Sequence, residues 1–227
     1  MKILCIDTSS SAGSVVLICE EGILGELYVD SPQTHSARLL MGIDAVLKSA
    51  NRTISDIDAF AVISGPGSFT GIRIGLTTVK GLAEALRKPV VPITSFAAWV
   101  EKYPHLQGIL VPLIPARRGE VYASVYERKG SELSVLSEGI VGEVGSVVSQ
   151  IPEVELSFIG CGANQYREVI EGRGRGRWNI LVTDPFLGQP MARMAERLAT
   201  RKEFCSAQDL AAFYLRESDA EIHWKER

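Results

Sequence analysis

The sequence predicts an α/β fold in which one arrangement of elements is used twice, and three observations carry the prediction. The order strand, hairpin, helix, strand, helix, strand runs through about the first hundred residues and then begins again. In each half an apolar strand leads into a hairpin, which makes the sheet mixed instead of purely parallel. The segments between the later strands space their apolar residues at helical intervals, so helices pack on those sheets. The stretch EKYPHLQG, 101–108, interrupts the pattern with Pro and Gly. It divides the chain into an N-terminal lobe, 1–103, and a C-terminal lobe, 104–227, whose last helix is free to pack back on the first.

In the first half, KILCID (2–7) is short and apolar, as a buried strand should be. SVVLICEEGILGELYVD (14–30) is a hairpin turning at Glu20, Glu21 and Gly22. SARLLMGIDAVLKSA (36–50) has apolar side chains at 39, 40, 43, 46, 47 and 50, which is helical spacing. DAFAVISG (58–65) is a β-branched strand running into glycine, and TGIRIGLTTVKGLAEALRK (70–88) is the next helix. Ser68 stands at its N-cap, where a hydroxyl meets orphan backbone N–H groups. PVVPIT (89–94) closes the half.

The second half follows suit. GILVPLIP (108–115) is a strand, and the hairpin of 119–139 turns at Lys129 and Gly130. VGSVVSQI (144–151) is helical, LSFIGCGA (156–163) a strand, NQYREVIEG (164–172) helical and NILVTD (179–184) a strand. MARMAERLATRK (191–202) and the Ala- and Leu-rich AQDLAAFYLRES (207–218) read as two final helices. Ahead of them EGRGRGRW (171–178) sets Arg173, Arg175 and Arg177 on a glycine spine. Without interleaved aromatics this reads as a solvated connection and not as an RNA-binding loop.

The 227 residues are 46% hydrophobic and 22% charged with a net charge of −3, so any RNA contact needs a local patch or a basic partner. The four cysteines form no CxxC pair, and Cys5 and Cys19 lie in apolar strand-like runs, the setting of small reduced side chains. MKILCID opens as a strand and not as a signal peptide, and no run nears the ~20 apolar residues of a membrane helix. The cytoplasm is the expected compartment.

The glycine-rich junction SGPGSFTGIRIG, 64–75, invites a phosphate reading that its spacing refuses. A P-loop needs Lys after its second glycine, where Ile72 stands. A dinucleotide fingerprint needs a third glycine where Thr70 stands, and Ser68 lacks the flanking glycines of a nucleophile elbow. On the helix that follows, Ile72, Leu76, Val79, Ala83 and Leu86 form an apolar stripe, while Gly71, Gly75, Thr78 and Ala85 form a neighbouring face of small residues. Glycine inside a helix costs ~1 kcal/mol relative to alanine, so two in one turn call for close packing by another element. The preceding helix spreads Leu39, Leu40, Ile43, Val46, Leu47 and Ala50, with Met41 beside them, too widely for one core-facing stripe. Surplus apolar surface on both helices is expected to form a protein interface.

At HSARLL, GPGSFTGIRIG, CIDTSS, ARRGEVYASVY (116–126) and FYLRESDAE (213–221) the chain resembles the TsaB (YeaZ) family nearly end to end. That resemblance implies an actin/Hsp70-like (ASKHA, ribonuclease H-like) two-lobed fold. It implies a part in making N6-threonylcarbamoyladenosine at position 37 of tRNAs that read codons beginning with A. TsaC makes threonylcarbamoyl-adenylate, and TsaD transfers the threonylcarbamoyl group with the help of TsaB and the ATPase TsaE. The implied role is therefore a non-catalytic, glycoprotease-like partner with no catalytic residue, no metal and no cofactor of its own. TsaD as heterodimer partner, or a second copy in isolation, would meet His35, Leu39, Leu40, Ile43, Gly71, Arg73, Ile74, Gly75 and Thr78.

Ser95 and Trp99 fall where TsaD carries its metal-binding histidine pair, and neither is a credible ligand. His35, His105 and His223 are scattered and read as surface or interface side chains. Asp7, Thr8 and Ser9 stand where actin-like ATPases place a phosphate-contacting hairpin, which leaves room for weak ATP or ADP contact at a surface shared with TsaD. Two departures from relatives remove carboxylates: Pro115 ahead of ARRGEVY, and Cys161 in GCGA. The competing readings are an actin-fold ATPase or sugar-kinase-like enzyme acting through Asp7 and the GCGA turn (160–163), and a glycoprotease-like metallopeptidase.

Overall fold

The computed structural model describes residues 1–30, 35–117, 119–174, 176–182 and 184–215, the side chains of 35–37 excepted. The chain forms two compact units: Met1–Lys102 with Phe186–Phe213, and Tyr103–Pro185 with Tyr214 and Leu215.

In the first unit β1 (Ile3–Asp7), β2 (Ala12–Cys19) and β3 (Gly22–Asp30) form an antiparallel meander. Helix α1 (His35–Ser49) leads to β4 (Ala59–Gly65), which pairs parallel with β1. Helix α2 (Phe69–Leu86) leads to β5 (Val90–Thr94), parallel to β4, and α3 (Ser95–Glu101) follows. The five-stranded sheet has the order β3-β2-β1-β4-β5. Every residue of β1 and β4 is buried, as expected for central strands covered on both faces. Strand alternation sends Leu4, Ile6, Val15 and Leu17 into one core with Leu39, Ile43, Val46 and Leu47 of α1 and Ile72, Leu76, Val79 and Ala83 of α2.

The second unit repeats that plan. β6 (Gly108–Pro115), β7 (Glu120–Lys129) and β8 (Glu132–Glu143) are antiparallel neighbours, and α4 (Val144–Gln150) leads to β9 (Leu156–Ile159), parallel to β6. After α5 (Cys161–Gln165) and α6 (Arg167–Gly174), β10 (Trp178–Ile180) adds in parallel, giving the order β10-β9-β6-β7-β8. Read from the meander edge, both sheets share one topology. A second core joins Val111, Leu113 and Phe158 to Val147, Val148 and Ile170.

Helix α7 (Gly188–Thr200) belongs to the first unit. A Cβ on Gly188 would meet Ser14, Val16 and Tyr28, which alternate with the residues facing α1, so α7 covers the other face of that sheet. Arg197 of α7 holds Glu101 of α3 through two bonds of 3.1 and 2.8 Å, and Lys102 donates to the Phe186 carbonyl at 2.8 Å. The division at residue 104 had placed this segment, except for a returning last helix, in the second lobe; Phe186–Phe213 returns to the first unit as a whole.

Three further expectations are corrected. AQDLAAFYLRES is not a helix over its described part: Ser206 caps a single turn with Asp209, and the chain then runs on non-helically until the Phe213 N–H donates to the Ser64 carbonyl at 2.8 Å. Burial of Ala207 and Leu210 in the first core outweighs the local helix propensity of alanine and leucine. The strand expected over 156–163 ends at Ile159, because Gly160 takes a φ of 99° and α5 begins at Cys161. The strand expected over 179–184 is Trp178–Ile180.

Candidate functional site

The sequence readings converge on the place where β1 ends against the first turns of α2. Asp7 is 1% exposed, and its Oδ1 accepts from the Ser9 N–H (2.8 Å) and the Ser9 hydroxyl (2.7 Å). Its Oδ2 is buried without a partner among the described residues. Burial pushes the carboxyl up to about 6, against the opposing pull of the two Ser9 bonds. Ser14, the residue paired with Asp7 across β1 and β2, also keeps a buried hydroxyl without a partner among the described residues.

The next two residues dock on the glycine junction. Thr8 is buried, and its hydroxyl donates to the Gly71 carbonyl at 2.7 Å. A Cβ on Gly75 would collide with that same Thr8 Oγ1. The Ser9 carbonyl accepts from the Ser68 N–H at 2.7 Å, and a Cβ on Gly67 would collide with it. Ser68 is the N-cap, its hydroxyl accepting from the Gly71 N–H at 3.2 Å. The clearance at Gly67 and Gly75 is therefore taken up by the protein's own Ser9 and Thr8.

This corrects the view of Gly71 and Gly75 as a shallow ridge awaiting another polypeptide: both are buried on the core side of α2. Leu39 and Ile43 are likewise core residues, 5% and 6% exposed. Ile74 and Thr78 are half-buried, Ile74 at the rim of the core. Among the residues that the two helices leave outside are Leu40 (61% exposed) and Met41 (62%) on α1, and Thr70, Arg73 and Thr77 on α2. The Arg73 guanidinium lies 3.7 Å from the centre of the Phe69 ring, a cation–π stack on the first turns of α2. His35 opens α1, and its side chain lies outside the described residues.

At Asp7, Thr8 and Ser9, where a nucleotide contact is expected, the side chains are already engaged within the chain. A phosphate needs free donors. Here the Thr8 and Ser9 hydroxyls are donated inside the chain, and the group left over is a buried carboxylate oxygen, which repels anions. Arg38 was missed from sequence: its guanidinium donates to the Ser11 carbonyl at 3.0 Å and, with Val15, Leu27, Val29 and Leu39, lines a small open cleft beside α1. A lone arginine in a helix gives no sequence signal of that position.

Ser95 and Trp99, at the sites compared with a histidine pair, are both buried in α3. Among the described residues no three His, Cys, Asp or Glu side chains cluster closely enough to hold a metal ion. In the second unit Pro115 ends β6 opposite Val121, and Cys161 opens α5. Arg173 lies in the last turn of α6, 3.5 Å from a Glu153 carboxylate oxygen, and Arg177 donates to the Glu153 carbonyl at 3.3 Å. Arg175, His223 and 216–221 of the FYLRESDAE block lie outside the described residues.

The sequence profile of the TsaD family, tRNA N6-adenosine threonylcarbamoyltransferase, matches residues 29–224. The tRNA threonylcarbamoyladenosine biosynthesis protein TsaB of Bacillus subtilis (strain 168) is 28% identical over 237 residues, covering 100% of this chain and 99% of that protein. A solved Pseudomonas aeruginosa structure, described as an uncharacterized protein with similarity to peptidase YEAZ, aligns with a TM-score of 0.82 at 28% identity, covering 95% of this chain and 99% of that one. The activator of the 2-hydroxyisocaproyl-CoA dehydratase from Clostridium difficile, solved with bound ADPNP, aligns with a TM-score of 0.51 at 10% identity over 89% of this chain and 97% of that one. That last likeness concerns the fold alone, which is of the actin/Hsp70-like class.

Proposed function

Since the chain belongs to the TsaB (YeaZ) family, within the wider group that the threonylcarbamoyltransferase profile describes, we propose that it is an accessory subunit in making N6-threonylcarbamoyladenosine at position 37 of tRNA. It binds TsaD and, with TsaE, makes TsaD competent for transfer, while carrying no chemistry of its own. It works in the cytoplasm, meets tRNA through the complex, and pairs with a second copy when TsaD is absent. No helix among the described residues is long and apolar enough to cross a membrane.

The observation that carries this reading is the outer side of α1. Leu39, Ile43, Val46 and Leu47 are buried, yet Leu40 and Met41 stand side by side at 61% and 62% exposure. A well-packed helix that leaves two large apolar side chains in water offers them to another polypeptide. The partner surface is accordingly drawn at Leu40, Met41 and Arg73, with Ile74 and Thr78 at its margin. Leu39, Ile43, Gly71 and Gly75 build the support behind it.

The double variant Leu40→Asp/Met41→Asp is expected to unfold as cooperatively as the parent protein and to lose co-purification with TsaD. Modification of unmodified tRNA by TsaD and TsaE, supplied with threonylcarbamoyl-adenylate, should fall to the level seen without this chain. Modification that runs at full rate without the chain would sink the proposal, as would a double variant that still retains TsaD.

A further inference from the structure

The turn after β1 occupies the place where the sequence suggested phosphate contact, yet the Thr8 hydroxyl and the Ser9 hydroxyl and carbonyl are spent on the first turns of α2 or on the turn itself. Asp7 Oδ1 takes two bonds from Ser9, which sets the turn. Ser9 then accepts from the Ser68 N–H at 2.7 Å, which fixes the residue capping α2. Thr8 reaches one turn further and donates to the Gly71 carbonyl at 2.7 Å, with its hydroxyl filling the gap at Gly75. A carbonyl has two lone pairs, so Gly71 accepts this bond without forfeiting its place in the helix ladder. The Thr8–Gly71 contact is buried, where a hydrogen bond is strong and its loss costly.

The same turns carry Phe69 and Arg73, stacked at 3.7 Å, and the exposed Thr70. We propose that Thr8 is a positioning residue for partner binding: it braces the N-terminal turns of α2 so that the Phe69–Arg73 pair is held in the orientation the partner meets. This rests on reading the outer side of α1 and α2 as the partner surface. Two bonds from one turn leave α2 little freedom to roll or slide at this end. Preorganised side chains bind with a smaller ordering cost, so a loosened brace weakens association without removing any contact atom.

The test compares Thr8→Ala, which deletes the donor, with Thr8→Ser, which keeps it. Affinity for purified TsaD is measured by calorimetry, and amide hydrogen exchange is followed across 68–75. Thr8→Ala is expected to bind at least tenfold more weakly and to exchange faster at 68–75, while unfolding cooperatively. Thr8→Ser should stay within about threefold of the parent in affinity and match its exchange. Should Thr8→Ala fail to fold, Thr8→Val takes its place, with volume kept and the donor removed. Unchanged affinity despite faster exchange at 68–75 overturns the brace, and so does a serine variant as weak as the alanine one. Leu40→Asp is run in parallel. If it loses TsaD while Thr8→Ala binds normally, the surface stands and the brace falls. If Leu40→Asp binds normally, the surface reading has failed, and the proposal with it.

Discussion

Asp7 is a carboxyl taken out of water with only one of its oxygens satisfied. Its folded pKa of about 6 lies above the 3.8 of the unfolded chain, so the sign of its pH effect is set. Between those values the folded protein holds a proton that the unfolded chain has released, and stability falls as pH rises through the window. The full difference amounts to about 3 kcal/mol at most, since one pK unit corresponds to about 1.4 kcal/mol. Urea midpoints measured from pH 4 to pH 7 should decline for the parent relative to Asp7→Asn, with the variant the more stable protein at pH 7. Parallel curves for the two proteins would show that Asp7 is not the group responsible. The residue drew notice through the resemblance, which sets it where actin-like ATPases place a phosphate-contacting hairpin. Its environment was not legible in the sequence, because the partner of each oxygen comes from residues placed by the fold.

Helix α2 shows at the level of an element which features a sequence discloses. Its apolar stripe was legible because Ile72, Leu76, Val79 and Ala83 repeat at helical spacing, and all four are buried. The side to which Gly71 and Gly75 belong was not legible. Glycine adds nothing to a hydrophobic pattern, so these two were assigned to a neighbouring face when they lie on the buried one. The same helix supplies its own control at Gly81, which is exposed and would place a Cβ in open space. Gly81→Ala should raise stability by roughly 0.5–1 kcal/mol through helix propensity alone. Gly75→Ala gains the same propensity but drives a methyl group into Thr8, and a net loss of about 1–3 kcal/mol is expected. Chemical denaturation of the two variants checks both signs, and a stabilised Gly75→Ala would mean that Thr8 yields at little cost. The segment 207–215 failed for the complementary reason: its Ala and Leu content is a local signal, overridden by contacts with Ser64 and the first core.

For the whole molecule, the duplicated order of elements was legible, and the two sheets share one strand topology. The return of the chain was legible only in part, because nothing local in 186–213 states which sheet it covers. Met191, Ala192 and Ala195 of α7 are fully buried, and Ala207 and Leu210 complete the core under α1 and α2. A fragment ending at residue 102 should therefore show no cooperative thermal transition by circular dichroism. Joining 186–213 to it through a flexible linker should restore one. Cooperative unfolding of the short fragment alone would refute this account of the first unit. The return also bears on synthesis. A ribosome delivers residues in order, so all five strands of the first sheet have been synthesised by Thr94, while Leu210 follows more than a hundred residues later. Throughout that interval the nascent sheet has one face uncovered, and this is where a chaperone scanning growing chains would find apolar surface to hold.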